Sequence, residues 1–525
     1  MNKKLKRLII SLLITPFLLT ACGTKISDNK PANNSKEVIS SDEETKYRKV
    51  QGNKEDFDQL LDSINLSRKE VFANAPIIKD EYINWFEKGE EEFSKEEVKE
   101  IADYAKELQR GGVVRRPELE YDANKVLTYE DAKEDIDRLF KLFRYCYGPY
   151  GYFGGDEVFN EAKTAIMNDM EGKKEISSLD FKGILTKNFD FIYDAHFFIG
   201  QDYDTYSKLQ MYYMYPEEFH KDDKGYYRVV EQKNHYLKGI NNDSDIEKYM
   251  KVSINEEGQL VYKAAILKQS SKNRSVNVPL SYSIGEETIE EKVYFDIMWS
   301  IPRNKVDKFE YRLIDNIPVA KVAAMSDNDT VKDSQSRFMK SAEEMKEYPI
   351  SILDLRANEG GYRTSGEAWI ETFSGKSERV EAATVFVNSS ITNEIFQTYN
   401  KKPFELLQKE SIIPERIPND KLVFVLINNF TASAGEWFVE ELFNMDNVIF
   451  IGTNTMGCKI SNKVNYRLEN SKIDLGIGDA LTLSPYGEDF EYKGFQPDIL
   501  VESDKALDRL LKMIEYYGIS ENKKE

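Results

Sequence analysis

Positive charge is in short supply in this sequence. Its 525 residues carry 72 lysines and arginines against 92 aspartates and glutamates, a formal net charge of −20. No block of basic residues interrupts the excess, which argues against a nucleic-acid partner, since that role needs a basic surface. Histidine is scarcer still, with only His196, His220 and His235. No HExxH and no clustered Cys/His spacing accompanies them, so a histidine-based metal site is not expected, nor is any cofactor. Of the three cysteines, Cys22 belongs to the N-terminal segment, and Cys146 and Cys458 stand far apart. Spacing alone leaves open whether those two pair. No repeat of solenoid type is present.

One apolar run does stand out, at the start. "MNKKLKRLIISLLITPFLLTAC" has a basic beginning (Lys3, Lys4, Lys6, Arg7) and an apolar stretch of signal-peptide length. Its end, "LTAC", resembles a bacterial lipobox. The resemblance implies a lipoprotein signal peptide over 1–21, with cleavage before Cys22 and lipid on that cysteine. The expected location is extracytoplasmic, lipid-anchored to the cell membrane. Four basic residues leave with residues 1–21, which takes the charge from −20 to −24. Such a surface has no charge affinity for anionic headgroups, so attachment would rest on the acyl chains. Residues 22–48 are polar, lack an apolar period and read as a flexible tether.

The remaining length exceeds one ordinary core and suggests two or three domains. Residues 49–125 read as a helical region with acidic, solvated faces. A second helical segment occupies 126–203, where Ile136, Leu139, Phe140 and Phe143 form one stripe at helical spacing. Between 204 and 310 the texture becomes tyrosine-rich and alternating, with Gly and Asn turns, as in a β-rich insert. From 311 to 517 short apolar strands alternate with helical stretches: "IPVAKVAAM", "YPISILDLR", "ATVFVN", "LVFVLI" and "NVIFIG". That is the pattern of an α/β core built from crossover units.

Within this core, Ser433 stands among Thr431, Ala432, Ala434 and Gly435, after the strand-like Leu422–Ile427 and before a helical pattern. Ligands of open α/β sheets sit at this end of the strands, and a helix N-terminus favours negative charge. A tightly packed helix cap is the alternative reading of the same stretch.

Four stretches in order, "ILDLRANEGG", "NNFTASAGE", "IGTNTMG" and "YKGFQPDILV", resemble successive motifs of the S41 peptidases. These are the tail-specific, C-terminal-processing and tricorn-core serine peptidases. "FIYDAH" resembles the segment that precedes their core. The resemblance spans about Thr128 to Tyr517 and is weakest in the β-rich middle. It implies a ClpP/crotonase-like α/β catalytic core and a polypeptide or peptide substrate, with a PDZ-like module at the place of the insert. It also implies Ser433 as nucleophile, Ala434 N–H as one oxyanion donor, and Gly360 or Gly361 as the source of the second.

The expected base divides the family. Processing peptidases use a lysine, whose place, 25 residues after Ser433, is taken here by Cys458, with Lys459 one step on. The tricorn-like branch uses a histidine from the preceding segment, oriented by a glutamate, and these places fall on His196 and Glu491. Ala195 and Ala434 depart from that branch's Ser and Asp, and Glu488 and Asp489 lie close to Glu491. The implied function is that of a membrane-tethered serine endopeptidase. The competing expectation is a catalytically silent binding lipoprotein on the same fold.

Overall fold

The computed structural model describes residues 51–68, 77–86, 93–109, 121–200, 208–271, 273–299, 308–327, 333–376, 380–396, 405–412, 415–485 and 490–519. All of these belong to the unit Lys49–Glu525. The lipidation candidate Cys22, the signal-peptide and tether segments, and the acidic pair Glu488 and Asp489 lie outside the described residues.

Helices are numbered in chain order: α1 (Lys54–Arg68), α2 (Lys95–Gln109), α3 (Tyr129–Cys146), α4 (Gly155–Met170), α5 (Ser178–Asn188), α6 (Ser334–Met345), α7 (Arg363–Ser374), α8 (Ser390–Phe396), α9 (Ala434–Phe443) and α10 (Ala506–Tyr516). The start of α3 shows how sequence sets a boundary. Thr128 accepts from the Asp131 amide while the Asp131 side chain accepts from the Thr128 amide, satisfying two otherwise orphaned donors. Ile136, Leu139 and Phe143 of the expected stripe are buried together with Leu142, while Phe140 packs at the margin.

The core sheet runs β1 (Phe309–Ile314), β2 (Ile317–Val322), β3 (Ile350–Asp354), β4 (Leu422–Ile427), β5 (Val448–Gly452) and β6 (Ile499–Leu500), adjacent in that same order. β1 and β2 form an antiparallel hairpin, and each later strand joins its neighbour in parallel. Both faces are covered, which is why these strands read as continuous apolar runs. Side chains alternate between the faces with period two. Leu353, Val423, Val425 and Phe450 meet Phe338 of α6, Trp369 of α7, and Phe438 and Leu442 of α9. Ile352, Phe424, Leu426 and Ile449 meet Phe57 and Ile64 of α1 and Leu510 and Met513 of α10. Each such buried side chain contributes about 1.5–3 kcal/mol relative to exposure.

Three features depart from the sequence reading. Strand Ala383–Asn388 leaves the core sheet and pairs antiparallel with Glu405–Lys409 and Ala480–Leu483 in a separate three-stranded sheet. An apolar run shows burial but not which sheet receives it. The helices of 49–125 are divided between two cores, α1 on the central sheet and α2 against α3 and its neighbours. Asp498, which after Pro497 reads in the sequence as a turn or cap, accepts the Phe450 amide at 2.7 Å and forms an ion pair with the buried Arg68 of α1.

The β-rich stretch forms an eight-stranded sheet of antiparallel pairs within Gln210–Ile297, and among its described residues there is no α-helix. It is bolted to the core. Gln210 N–H donates to the Tyr492 carbonyl at 2.8 Å, and the Asn454 amide donates to the Gln210 carbonyl at 2.9 Å. Cys146 and Cys458 form no disulfide among the described residues and are both buried, the first against Ser389 and the second against His196.

Candidate active site

The loops that follow β3, β4 and β5 leave the carboxyl edge of the parallel strands together. The loop after β4 carries Ser433 into the first turn of α9. Ser433 has φ 52° and ψ −120°, a backbone setting that costs about 1–3 kcal/mol and persists only when its surroundings enforce it. The enforcing bonds are on both sides. Thr431 Oγ donates to the Leu355 carbonyl at 2.8 Å, and Ala432 N–H donates to the Asn358 carbonyl at 2.9 Å. Asn428 Oδ1 accepts from the amides of Ala357 and Phe430. Ser433 itself is half-buried, and its hydroxyl has no hydrogen bond among the described residues. A sharp strand-to-helix turn of this kind presents a hydroxyl at the edge of a sheet.

Next to it lies the glycine pair after β3. Gly360 is buried, with φ 91°, and a Cβ there would come within 2.8 Å of Ala434 N and 2.9 Å of Ser433 Cβ. Only a glycine allows that approach. The Gly360 N–H is spent on Asn358 Oδ1 at 2.8 Å. Gly361, exposed and with φ 132°, makes no hydrogen bond through its N–H among the described residues, and neither does Ala434, the first residue of α9. Of the two glycines, therefore, Gly361 is the one with a donor to offer beside that of Ala434.

His196 and Cys458 meet on the other side. Ala195, Cys458, Ala432 and Tyr492 share one apolar cluster with Leu209 and Met211, so the histidine segment and the residue that precedes Ser433 belong to the same small core. Cys458 Sγ lies 3.3 Å from Nδ1 and 3.4 Å from Nε2 of His196. Nearly equal distances place the sulfur against the face of the imidazole, off the lone-pair line of either nitrogen. Burial lowers the pKa of His196 while the Asp194 carboxylate opposes that shift, and burial raises the Cys458 thiol. No bond joins His196 to Ser433 in this geometry. Contacts of a resting site commonly tighten only on substrate binding.

Glu491 is buried, and its hydrogen bonds among the described residues go to backbone: Oε1 accepts from Ala195 N at 2.8 Å, and Oε2 from Lys459 N at 3.0 Å and Ile460 N at 2.9 Å. It clamps the histidine segment to the Cys458 loop rather than touching the ring. Burial and the nearby Asp194 push its carboxyl well up. Lys459 points away from the serine. Its ammonium pairs with Glu440 Oε2 at 2.6 Å, two turns along α9, and lies 3.9 Å from the centre of the Trp437 ring.

Three residues escaped the sequence reading. Asn358 ties the glycine loop to the serine turn through its carbonyl, while its side chain accepts from Gly360 N and donates to the Val322 carbonyl. Glu436, fully buried on α9, accepts from Thr455 Oγ at 2.5 Å, Gly457 N at 2.7 Å and Cys458 N at 2.8 Å, fixing the Cys458 loop to the serine helix. Asp194 is the third. The signal for Glu436 was available: Glu436, Glu440 and Glu441 lie on a helix flanked by two fully apolar strands, where a carboxylate needs a partner. His220 is exposed and His235 half-buried, both on the β-rich sheet. Asp354 and Arg356 pair with each other at the end of β3.

In overall shape the chain has loose likenesses to solved structures. It is 13% identical to mature CPAF complexed with lactacystin over 74% of this chain and 98% of that one, with a TM-score of 0.41. It is 11% identical to a photosystem II D1 C-terminal processing protease over 74% and 98%, with a TM-score of 0.35. With the tricorn protease it shares 14% identity over 74% of this chain and 35% of that one, at a TM-score of 0.29. A family model gives the more direct result: residues 317–501, from β2 to the residue after β6, are a match to Peptidase family S41.

Proposed function

We propose that this protein is a serine-type endopeptidase with Ser433 as nucleophile and His196 as base. The observation that carries the reading is the serine turn itself. A strained, half-buried Ser433 with an unbonded hydroxyl is followed directly by the unspent Ala434 N–H, and the glycine loop packed against it through Gly360 carries a second unspent donor, Gly361 N–H. Strain of this kind, together with idle donors, is what an acyl-transfer site needs.

The steps follow from these positions. Ser433 Oγ attacks the carbonyl carbon of a peptide bond as His196 takes the hydroxyl proton. The carbonyl oxygen becomes an oxyanion facing the two N–H groups. The tetrahedral species collapses, the C–N bond breaks, and the imidazolium returns its proton to the leaving amine. Water then hydrolyses the Ser433 ester by the same route in reverse. Glu491 serves by holding Ala195, and with it the histidine segment, against the Cys458 loop. A buried, largely neutral imidazole suits a base near neutral pH.

The substrate is a polypeptide, presented by the β-rich sheet that is attached to the core through Gln210. The site of action is the outer face of the cell membrane, with lipid on Cys22. Two experiments test the two halves of the reading. Hydrolysis of an unfolded protein substrate should vanish in Ser433→Ala; retained hydrolysis would make the protein a binding lipoprotein or place the nucleophile elsewhere. Cys22→Ala should release the protein from the membrane fraction, because the acidic surface gives no second attachment. Full retention of that variant would overturn the lipid anchor.

A further inference from the structure

A histidine base works only if its ring is held in one orientation and its charged form is stabilised as it takes the proton. Glu491 meets the ring through neither route, since its three bonds end on backbone amides. A different carboxylate is better placed. Asp194 is completely buried, two residues before His196. Its Oδ1 accepts from the His196 backbone N–H at 2.8 Å. Its Oδ2 accepts from Ser461 Oγ at 2.7 Å and from Tyr147 OH at 2.8 Å. Its backbone carbonyl accepts from Tyr492 OH at 3.0 Å, next in sequence to Glu491.

These bonds have one geometric consequence. One carboxylate therefore ties the His196 backbone to the Ser461 and Tyr147 side chains. We propose that Asp194 is the positioning residue of His196, holding its backbone against Ser461 and Tyr147 and stabilising its imidazolium. The proposal rests on the peptidase reading above and adds to it a residue that the resemblance did not supply.

The electrostatics agree with the geometry. Asp194 favours the protonated imidazole, while burial and Lys463 disfavour it. Cys458, from the loop after β5, touches the ring, and the titratable groups beside Asp194 and Cys458 are Glu491, from the loop before β6, Tyr147 and Tyr492. Tyr147 and Cys458 have their pKa values pushed up by burial and remain neutral near pH 7. Asp194 and Glu491 are thus the acidic groups that matter, and only Asp194 bonds to the histidine residue itself.

The test uses the small number of histidines. With three in the chain, labelled imidazole signals can be followed by NMR and assigned with His220→Gln and His235→Gln. Asp194→Asn keeps the shape and lets the two hydroxyls reverse their roles. It is expected to lower the His196 midpoint by about one pH unit, the smallest shift usual for losing a close opposite charge. The rising limb of Ser433 labelling by a fluorophosphonate should move down in pH with it, and its plateau rate should fall about 10²-fold. Tyr147→Phe removes one hydrogen bond and leaves the charge, so the midpoint should stay in place.

An unmoved His196 midpoint in folded Asp194→Asn overturns the proposal. Absence of Ser433 labelling in the unaltered protein overturns the peptidase reading instead, and the NMR arm distinguishes the two. Should Asp194→Asn fail to fold, Ser461→Ala decides: the plateau rate should fall about tenfold with the midpoint unmoved, and an unchanged rate would sink the positioning role.

Discussion

Lys459 and Glu440 form an ion pair at 2.6 Å in which both side chains are almost wholly enclosed. That pair decides what the lysine beside Cys458 can do. Its ammonium is held two helical turns beyond Ser433, facing the Trp437 ring. Burial lowers the pKa of Lys459, the direction a lysine base requires, but position rules it out. Lys459→Ala is therefore expected to destabilise the fold by about 3–5 kcal/mol, because a lone carboxylate is left buried. Turnover per folded molecule should stay within about threefold, against the 10²–10⁴-fold loss that removal of a general base brings. Denaturant melts and active-site titration separate the two effects. A loss of turnover in fully folded Lys459→Ala would restore the lysine to the proton path.

Cys458→Ser should behave similarly at the site. The thiol rests on the face of the imidazole and bonds neither nitrogen along its lone pair. Activity within about threefold of the unaltered protein is expected, well short of the loss of a base. A drop of 10²-fold or more would show that sulfur takes part in proton transfer.

Gly360→Ala probes the close approach of the two loops. Its Cβ would intrude to 2.8 Å from Ala434 N and 2.9 Å from Ser433 Cβ, at a φ of 91° that side chains avoid. Backbone, not a flexible side chain, must give way, so the oxyanion donors separate. Turnover should fall about 10²–10³-fold, the loss typical of one oxyanion donor. Normal kinetics in this variant would mean that the glycine loop and the serine turn do not act together.

Glu441 links stability to pH. Burial raises its pKa to about 7, with Arg363 at 2.8 Å and the Val380 amide at 3.0 Å opposing the shift. The folded value lies above the unfolded one of about 4.3, so the contribution is fully present below that lower value and is lost as pH rises through about 7. Across that window stability should fall by up to about 1.4 kcal/mol per pH unit from this group. Glu441→Gln should remove that part of the slope in unfolding curves taken between pH 5 and 7.5. An unchanged slope would contradict the assignment.

The core strands and the serine turn were legible in the sequence because burial on both faces leaves continuous apolar runs, and the run Leu422–Ile427 ends one residue before Asn428. The supports of the turn were not. Asn358, Glu436 and Asp194 are polar residues in loops or on a helix, and their partners lie up to 298 positions away, as between Asp194 and Tyr492. No local period marks such pairs. Arg68 shows the same limit: it closes an outwardly polar helix, yet in the fold it is buried against Phe443 and Phe450. The choice between Gly360 and Gly361 also waited for the fold, since only the Asn358 side chain shows which N–H is already spent.

The central claim is that Ser433 is a nucleophile activated by His196. Fluorophosphonate treatment followed by peptide mapping by mass spectrometry tests it most directly. The account predicts one adduct, on Ser433, formed along a limb that rises with pH about a midpoint below the usual histidine value of about 6.5, since burial lowers it. In Ser433→Ala no adduct should form, and in His196→Ala its rate should fall by about 10²–10⁴-fold. An adduct on another serine, or full-rate labelling of Ser433 without His196, would contradict it.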